Sequence, residues 1–158
     1  HLPEVFKRAH AHKGASFVEV FQNCIVYNDG VYDSFTAKDV AAERQVVVEH
    51  GRPLIFGKEK NKGLRLKPGK LELEVIVIGE NATTKNDVLI HDETNKILAT
   101  LLAQMEGTNF PVAIGVLYCN PSATYEDAVH AQISDAKKAN PPTTINDLLR
   151  SGPTWTVV

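Results

Sequence analysis

The run Phe110-Pro111-Val112-Ala113-Ile114-Gly115-Val116-Leu117 most constrains the fold, because six consecutive apolar residues from Val112 leave no polar face. Such a run fits a central parallel strand covered on both sides. It is flanked by helical signals. Upstream, Ile97, Leu98, Leu101, Leu102 and Met105 recur at helical spacing after Asp92 or Thr94, either of which can cap the helix, and Gly107 is placed to end it. Downstream, Thr124 is a cap with Asp127 three residues on, at the acidic position of a capping box. Helix, buried strand and helix in sequence predict an α/β layered domain with a mostly parallel sheet.

The remaining elements extend this reading. Pro3 suits the first turn of a short helix reaching about His12, closed by Gly14 ahead of a strand over 16–21. Apolar runs at 45–49 and 54–56 are separated by the turn His50-Gly51-Arg52-Pro53. A further strand is expected over 71–78, beginning half-exposed with alternating Leu and Glu. Pro141 and Pro142 are expected to break the Thr124 helix before a last short helix over 145–149. A length of 158 residues with 43% hydrophobic content predicts one domain with a real core. A net charge of −2 argues against a nucleic-acid or anionic-membrane surface. The apolar runs are too short to span a bilayer and no leader pattern opens the chain, so a cytoplasmic protein is expected.

Few residues invite chemistry. Cys24 follows the expected strand at 16–21, at the kind of strand end where α/β sheets place their sites. From pattern alone it reads first as a small buried hydrophobe. A nucleophilic thiolate, needing a nearby histidine or cation, and a metal or cluster ligand, needing further ligands brought by folding, are the alternatives. His10 and His12 point to different faces of their helix and read as surface residues. The stretch 56–70 carries five lysines, Arg65 and three glycines without the order of a phosphate-binding loop, and reads as a mobile solvated loop, with an acidic partner's docking surface as the rival. His91, Asp92 and Glu93 stand together, but the acids favour the start of the next helix over acid–base work. Two cysteines, Cys24 and Cys119, are too few for a disulfide framework and read as separate thiols.

Taken in order, AHKGASFVEVFQNCIVYNDGVYD, EHGRPLIFGKEKNKGLRL, VLIHDETN with LATLLAQM, FPVAIGVLY with TYEDAV, and LLRSGPTWTV form a recognisable series. The series resembles the C-terminal part of the β subunit of 2-oxoacid:ferredoxin oxidoreductases, most closely the 2-oxoglutarate type, over almost the whole chain. The resemblance implies part of a thiamine-diphosphate-binding, pyrophosphate-type fold. It further implies conversion of a 2-oxoacid and coenzyme A to an acyl-CoA and carbon dioxide, with thiamine diphosphate, Mg2+ and a 4Fe-4S cluster passing electrons to ferredoxin. An α subunit is the implied partner. The family's Gln-Asn-Cys or Gln-Pro-Cys segment supplies the last of four cluster cysteines, and Cys24 matches it. The other three cysteines, and the Gly-Asp-Gly-Asp segment with its following Asn that holds magnesium and diphosphate, are expected upstream of His1. No catalytic residue is therefore expected within residues 1–158, and no role is carried onto Cys119. A stand-alone binding or assembly domain that kept the fold without catalysis is the alternative.

Overall fold

Two short connections decide the sheets. In the computed structural model, which describes residues 1–140 and 143–157, β1 (Gln45–Val48), β2 (Ile55–Phe56), β3 (Lys62–Leu66), β4 (Leu73–Val77) and β5 (Val112–Gly115) form two separate sheets. The links between β2 and β3 and between β3 and β4 span 57–61 and 67–72, far short of the dozen or more residues that a parallel crossover needs. Those three strands consequently pair antiparallel, with Gly63 opposite both Ile55 and Ile76. β1 and β5 are distant in sequence and pair parallel, Gln45 opposite Val112 and Val48 opposite Gly115. The α/β content matches the sequence reading; the single mostly parallel sheet is replaced by a parallel pair and an antiparallel three-stranded sheet. β5 is only half-buried along its length rather than covered on both faces.

The helices are α1 (Leu2–Ala11), α2 (Asp33–Thr36), α3 (Ala41–Arg44), α4 (Lys96–Ala103), α5 (Tyr125–Ala139) and α6 (Ile145–Leu149). α1 starts at Leu2 with Pro3 in its first turn, as expected, and Gly14 takes φ +114° beyond its end. α4 is capped by Asn95, whose side chain accepts the Leu98 amide at 3.0 Å, and not by Asp92 or Thr94. Those two form the turn ahead of it: Asp92 Oδ1 accepts the Thr94 amide at 2.9 Å and its hydroxyl at 2.8 Å. α4 ends at Ala103, and Gly107 takes φ +86° in the loop beyond.

The chain forms two units, 1–120 and 121–158. The core of the first joins Val46 and Val48 of β1, Leu54 just before β2, Phe56, Leu64, Leu73 and Ile76 of the antiparallel strands, Val88, and Leu98 and Leu102 of α4. Each such side chain contributes about 1.5–3 kcal/mol by leaving water. Ile97 shares the apolar pattern of α4 yet is exposed. The stretch 56–70 is not a solvated loop: it holds β3, where Gly63 and Leu64 are buried. A Cβ on Gly63 would meet Val88 Cγ2 at 2.5 Å, so glycine there lets Val88 pack against the strand. The lysines face outward, Lys62 to Glu43 and Lys67 to Glu72. No strand forms over 16–21, where Phe17 is 92% exposed and no neighbouring strand is paired among the described residues; an extended segment becomes a strand only when another backbone satisfies its amides.

In the second unit, α5 is capped by the Thr124 hydroxyl, which accepts the Asp127 amide at 3.1 Å. Asp127 does not complete the reciprocal bond, whereas Thr144 and Asp147 make a full capping box at α6. No described residue of this unit is buried, and Tyr125, Ile145, Leu149 and Trp155 stand open. Pro141 and Pro142, expected to break the helix before them, lie outside the described residues. No helix among the described residues is long and apolar enough to cross a membrane.

Candidate functional site

Cys24 sits at the start of a tight loop pinned at both ends. The Asn28 amide donates to the Cys24 carbonyl at 2.9 Å, closing one turn over 24–28. Outside that turn the Asn23 side chain acts as a clasp: its oxygen accepts the Gly30 amide at 2.9 Å and its nitrogen donates to Asp29 at 2.8 Å. Gly30 takes φ +73°, a conformation that glycine adopts without strain. Below the loop, Phe21 packs on Tyr32 and Phe35 with ring centroids 5.2 Å apart in each pair. The Asn23 clasp holds the loop that carries the cysteine.

The turn also shapes the electrostatics of the thiol. The backbone N–H of Tyr27, then those of Val26 and Asn28, hold the Cys24 thiol below its ordinary pKa, outweighing partial burial. No histidine or cationic side chain takes part, so the stabilisation of the thiolate comes from peptide dipoles. A sulfur cradled by amides and left partly open is suited to donating to a metal, whereas a catalytic nucleophile would want a base beside it. Ile25, Val26 and Tyr27, 76% exposed or more, surround it with apolar surface.

A second cluster lies past the carboxyl ends of β1 and β5, where sequence reasoning had placed only separate residues. Arg8 of α1 forks onto Glu93, Nη1 to Oε2 at 3.0 Å and Nη2 to Oε1 at 2.8 Å. This pairing holds the Glu93 carboxyl below the usual carboxylate range. The Glu93 amide donates to His50 Nδ1 at 3.3 Å, and the Glu93 carbonyl accepts the Cys119 amide at 2.8 Å. Cys119 Sγ in turn lies 3.8 Å from His12 Nδ1. His12 is therefore half-buried and partnered; only His10 is the exposed surface residue expected of both. Arg8 and His12 lie four residues apart, the spacing that brings helix side chains to one face. Their partners are 85 and 107 residues away, so no local motif announces the cluster.

His91 is fully buried beside these groups, with Nε2 2.9 Å from the Val116 carbonyl. A carbonyl only accepts, so Nε2 donates, and Nδ1 has no partner. Its backbone is tied to the turn before β2: the His91 amide donates to Arg52 O and the Gly51 amide to His91 O, both at 2.8 Å. His91 is thus a wedge between the two sheets' connections, Asp92 shapes the turn before α4, and Glu93 anchors α1. Among the described residues, no three His, Cys, Asp or Glu side chains are grouped to hold a metal ion.

Comparison with known proteins finds a similarity over nearly the whole chain. Over 161 residues it is 32% identical to the 2-oxoglutarate oxidoreductase subunit KorB of Mycobacterium tuberculosis, a match covering 99% of this chain and 42% of that protein. The chain is a homologue of part of that subunit. It spans less than half of the relative's length, and both the Cys24 loop and the Cys119 cluster fall inside the matched region. No family model and no solved structure matches the chain. The resemblance read from the ordered sequence segments thus stands on an independent match over nearly the whole chain.

Proposed function

We propose that this chain is part of the β subunit of a 2-oxoacid:ferredoxin oxidoreductase of the 2-oxoglutarate type, in which Cys24 supplies one thiolate of a 4Fe-4S cluster. The observation that carries the reading is the tight Cys24 turn, closed by the Asn28 amide on the Cys24 carbonyl and clasped by Asn23, in which backbone amides lower the thiol's pKa and no base takes part. The homology to a 2-oxoglutarate oxidoreductase subunit supports the substrate class. When bound, such a cluster supplies one-electron transfer. The residues of this chain fit the group. The Tyr27, Val26 and Asn28 amides favour the charged thiolate that iron requires and tune it by withdrawing electron density. Asn23 holds the turn in register, and the exposed apolar side chains of Ile25, Val26 and Tyr27 follow the cysteine on the same loop.

The rest of the chemistry belongs to other parts of the assembly. Thiamine diphosphate and Mg2+ are held by sequence outside this chain, the 2-oxoacid and coenzyme A bind where that cofactor lies, an α subunit completes the enzyme, and ferredoxin receives the electrons. Two free thiols suit a reducing, cytoplasmic setting. The test is turnover: the complete enzyme, given 2-oxoglutarate and coenzyme A, should reduce a viologen dye, and the 158-residue chain alone should neither do so nor bind thiamine diphosphate with Mg2+ in calorimetry. Turnover by the isolated chain, or a complete enzyme indifferent to 2-oxoacids, would overturn the reading.

A further inference from the structure

We infer that the cleft at the amino ends of β1 and β5 binds a small organic carboxylate with an aromatic or branched apolar body. The inference stands apart from the proposed function, since the Cys24 loop has no part in it and the Cys119 cluster lies past the other ends of these strands. The cleft holds about 580 Å³, within the ~300–1,000 Å³ usual for small-molecule sites. Phe56, Val75 and Phe110 line it with apolar surface. Thr108 and Asn109, both exposed, add a hydroxyl and an amide.

Glu43, Arg44 and Lys62 line the same cleft, and their charges do not cancel. Glu43 and Lys62 form a closed pair: Lys62 Nζ donates to Glu43 Oε2 at 2.8 Å, and the Lys58 amide donates to Oε1 at 2.9 Å. These two partners, Lys62 first, hold the Glu43 carboxyl below the usual carboxylate range, and Arg44 takes no part in it. Arg44, half-buried at the end of α3, donates instead to the Thr108 carbonyl and, at 3.4 Å, to the Gly107 carbonyl. Carbonyls carry no net charge, and among the described residues no carboxylate lies within ion-pair distance of Arg44. The cleft thus keeps one uncompensated positive charge beside apolar walls, where an anion brought to it is favoured. A guanidinium has five N–H groups in a planar fork that matches a carboxylate, and only two are used on the carbonyls. The turn at Gly107, with φ +86°, presents those two successive carbonyls, so the guanidinium is held before a ligand arrives. A carboxylate on Arg44 would lay its apolar body against Phe56, Val75 and Phe110. An inorganic anion would answer the charge and leave those walls wet, so the cleft favours the organic acid.

The experiment titrates phenylacetate, and separately inorganic phosphate, into the complete subunit and follows binding by calorimetry and by saturation-transfer NMR on the ligand. Phenylacetate should bind, and phosphate should bind about tenfold or more weakly, since it has no apolar surface to bury. Arg44→Gln should weaken phenylacetate binding about tenfold or more, as loss of a charge-assisted hydrogen bond predicts. Val75→Phe fills the cleft with Arg44 left in place and should weaken binding to a similar extent, so the outcome does not hang on how well the Arg44 variant folds. 2-Oxoglutarate, which has no apolar body, should not displace phenylacetate at equal concentration. No binding of phenylacetate at millimolar concentration, equal binding of phosphate, an affinity unchanged in Arg44→Gln or in Val75→Phe, or displacement by 2-oxoglutarate would overturn the inference.

Discussion

The side chain of Asn23 accepts the Gly30 amide at 2.9 Å, closing from outside the loop that carries Cys24. One amide group thus clasps the turn whose backbone amides lower the pKa of the thiol. Asn23→Ala removes that bond and the one to Asp29, at a cost to stability of about 0.5–1.5 kcal/mol. The larger effect should be on the thiol: with the turn loosened, the Tyr27 and Val26 amides no longer hold its pKa down, and alkylation of Cys24 by iodoacetamide should shift to higher pH in cluster-free protein. An unchanged pH profile would mean that the turn over 24–28 holds without its clasp.

The fork between Arg8 and Glu93 gives a pH dependence of definite sign. Arg8 depresses the Glu93 pKa in the folded state, so the pair stabilises fully above the ordinary carboxylate value of about 4.3 and loses that contribution as pH falls through the depressed folded value. Glu93→Gln should cost at most about 1 kcal/mol at pH 7, since Arg8 is half exposed. Urea midpoints of variant and wild type should converge on acidification, the other depressed carboxylates, Glu43, Asp87, Asp92 and Asp147, leaving a residual acid limb in both. A gap that widens below pH 4 would contradict the assignment.

Gly63→Ala drives a methyl to within 2.5 Å of Val88 Cγ2 and should destabilise by about 1–3 kcal/mol. Val88→Ala opens the space it needs. The double variant should lose clearly less than the sum of the two single losses by denaturant unfolding, whereas additivity would place the strain elsewhere.

Which features the sequence revealed follows from where their causes lie. α1 and α5 were legible because Pro3 and Thr124 mark their first turns within a few residues of chain, whereas α6 was expected only after the proline pair and its Thr144 cap went unread. The parallel run at 112–117 was legible as a strand, but its partner β1 and its half-exposed faces depend on which other layers are present. The antiparallel sheet hid behind lysines, since the buried residues of β3 are a glycine and a leucine inside a charged stretch. Residues 16–21 carry a strand's composition without a strand's partner. At the sites, Asn23 stood in the quoted motif and its role emerged only with the loop's geometry. The pairing of His12 with Cys119 has no local signature at all, because folding alone brings the two together.

The most direct test of the account is the iron of the complete subunit with Cys24→Ser. A serine oxygen is a poorer donor to cluster iron than a thiolate. Iron and sulfide content and the reduced-state paramagnetic resonance signal should therefore fall sharply in this variant while thiamine diphosphate stays bound, and Cys119→Ser should leave all three unchanged. A Cys24→Ser protein that retains a full cluster and normal ferredoxin reduction would contradict the central claim and leave Cys24 a thiol held by three amides for some other purpose.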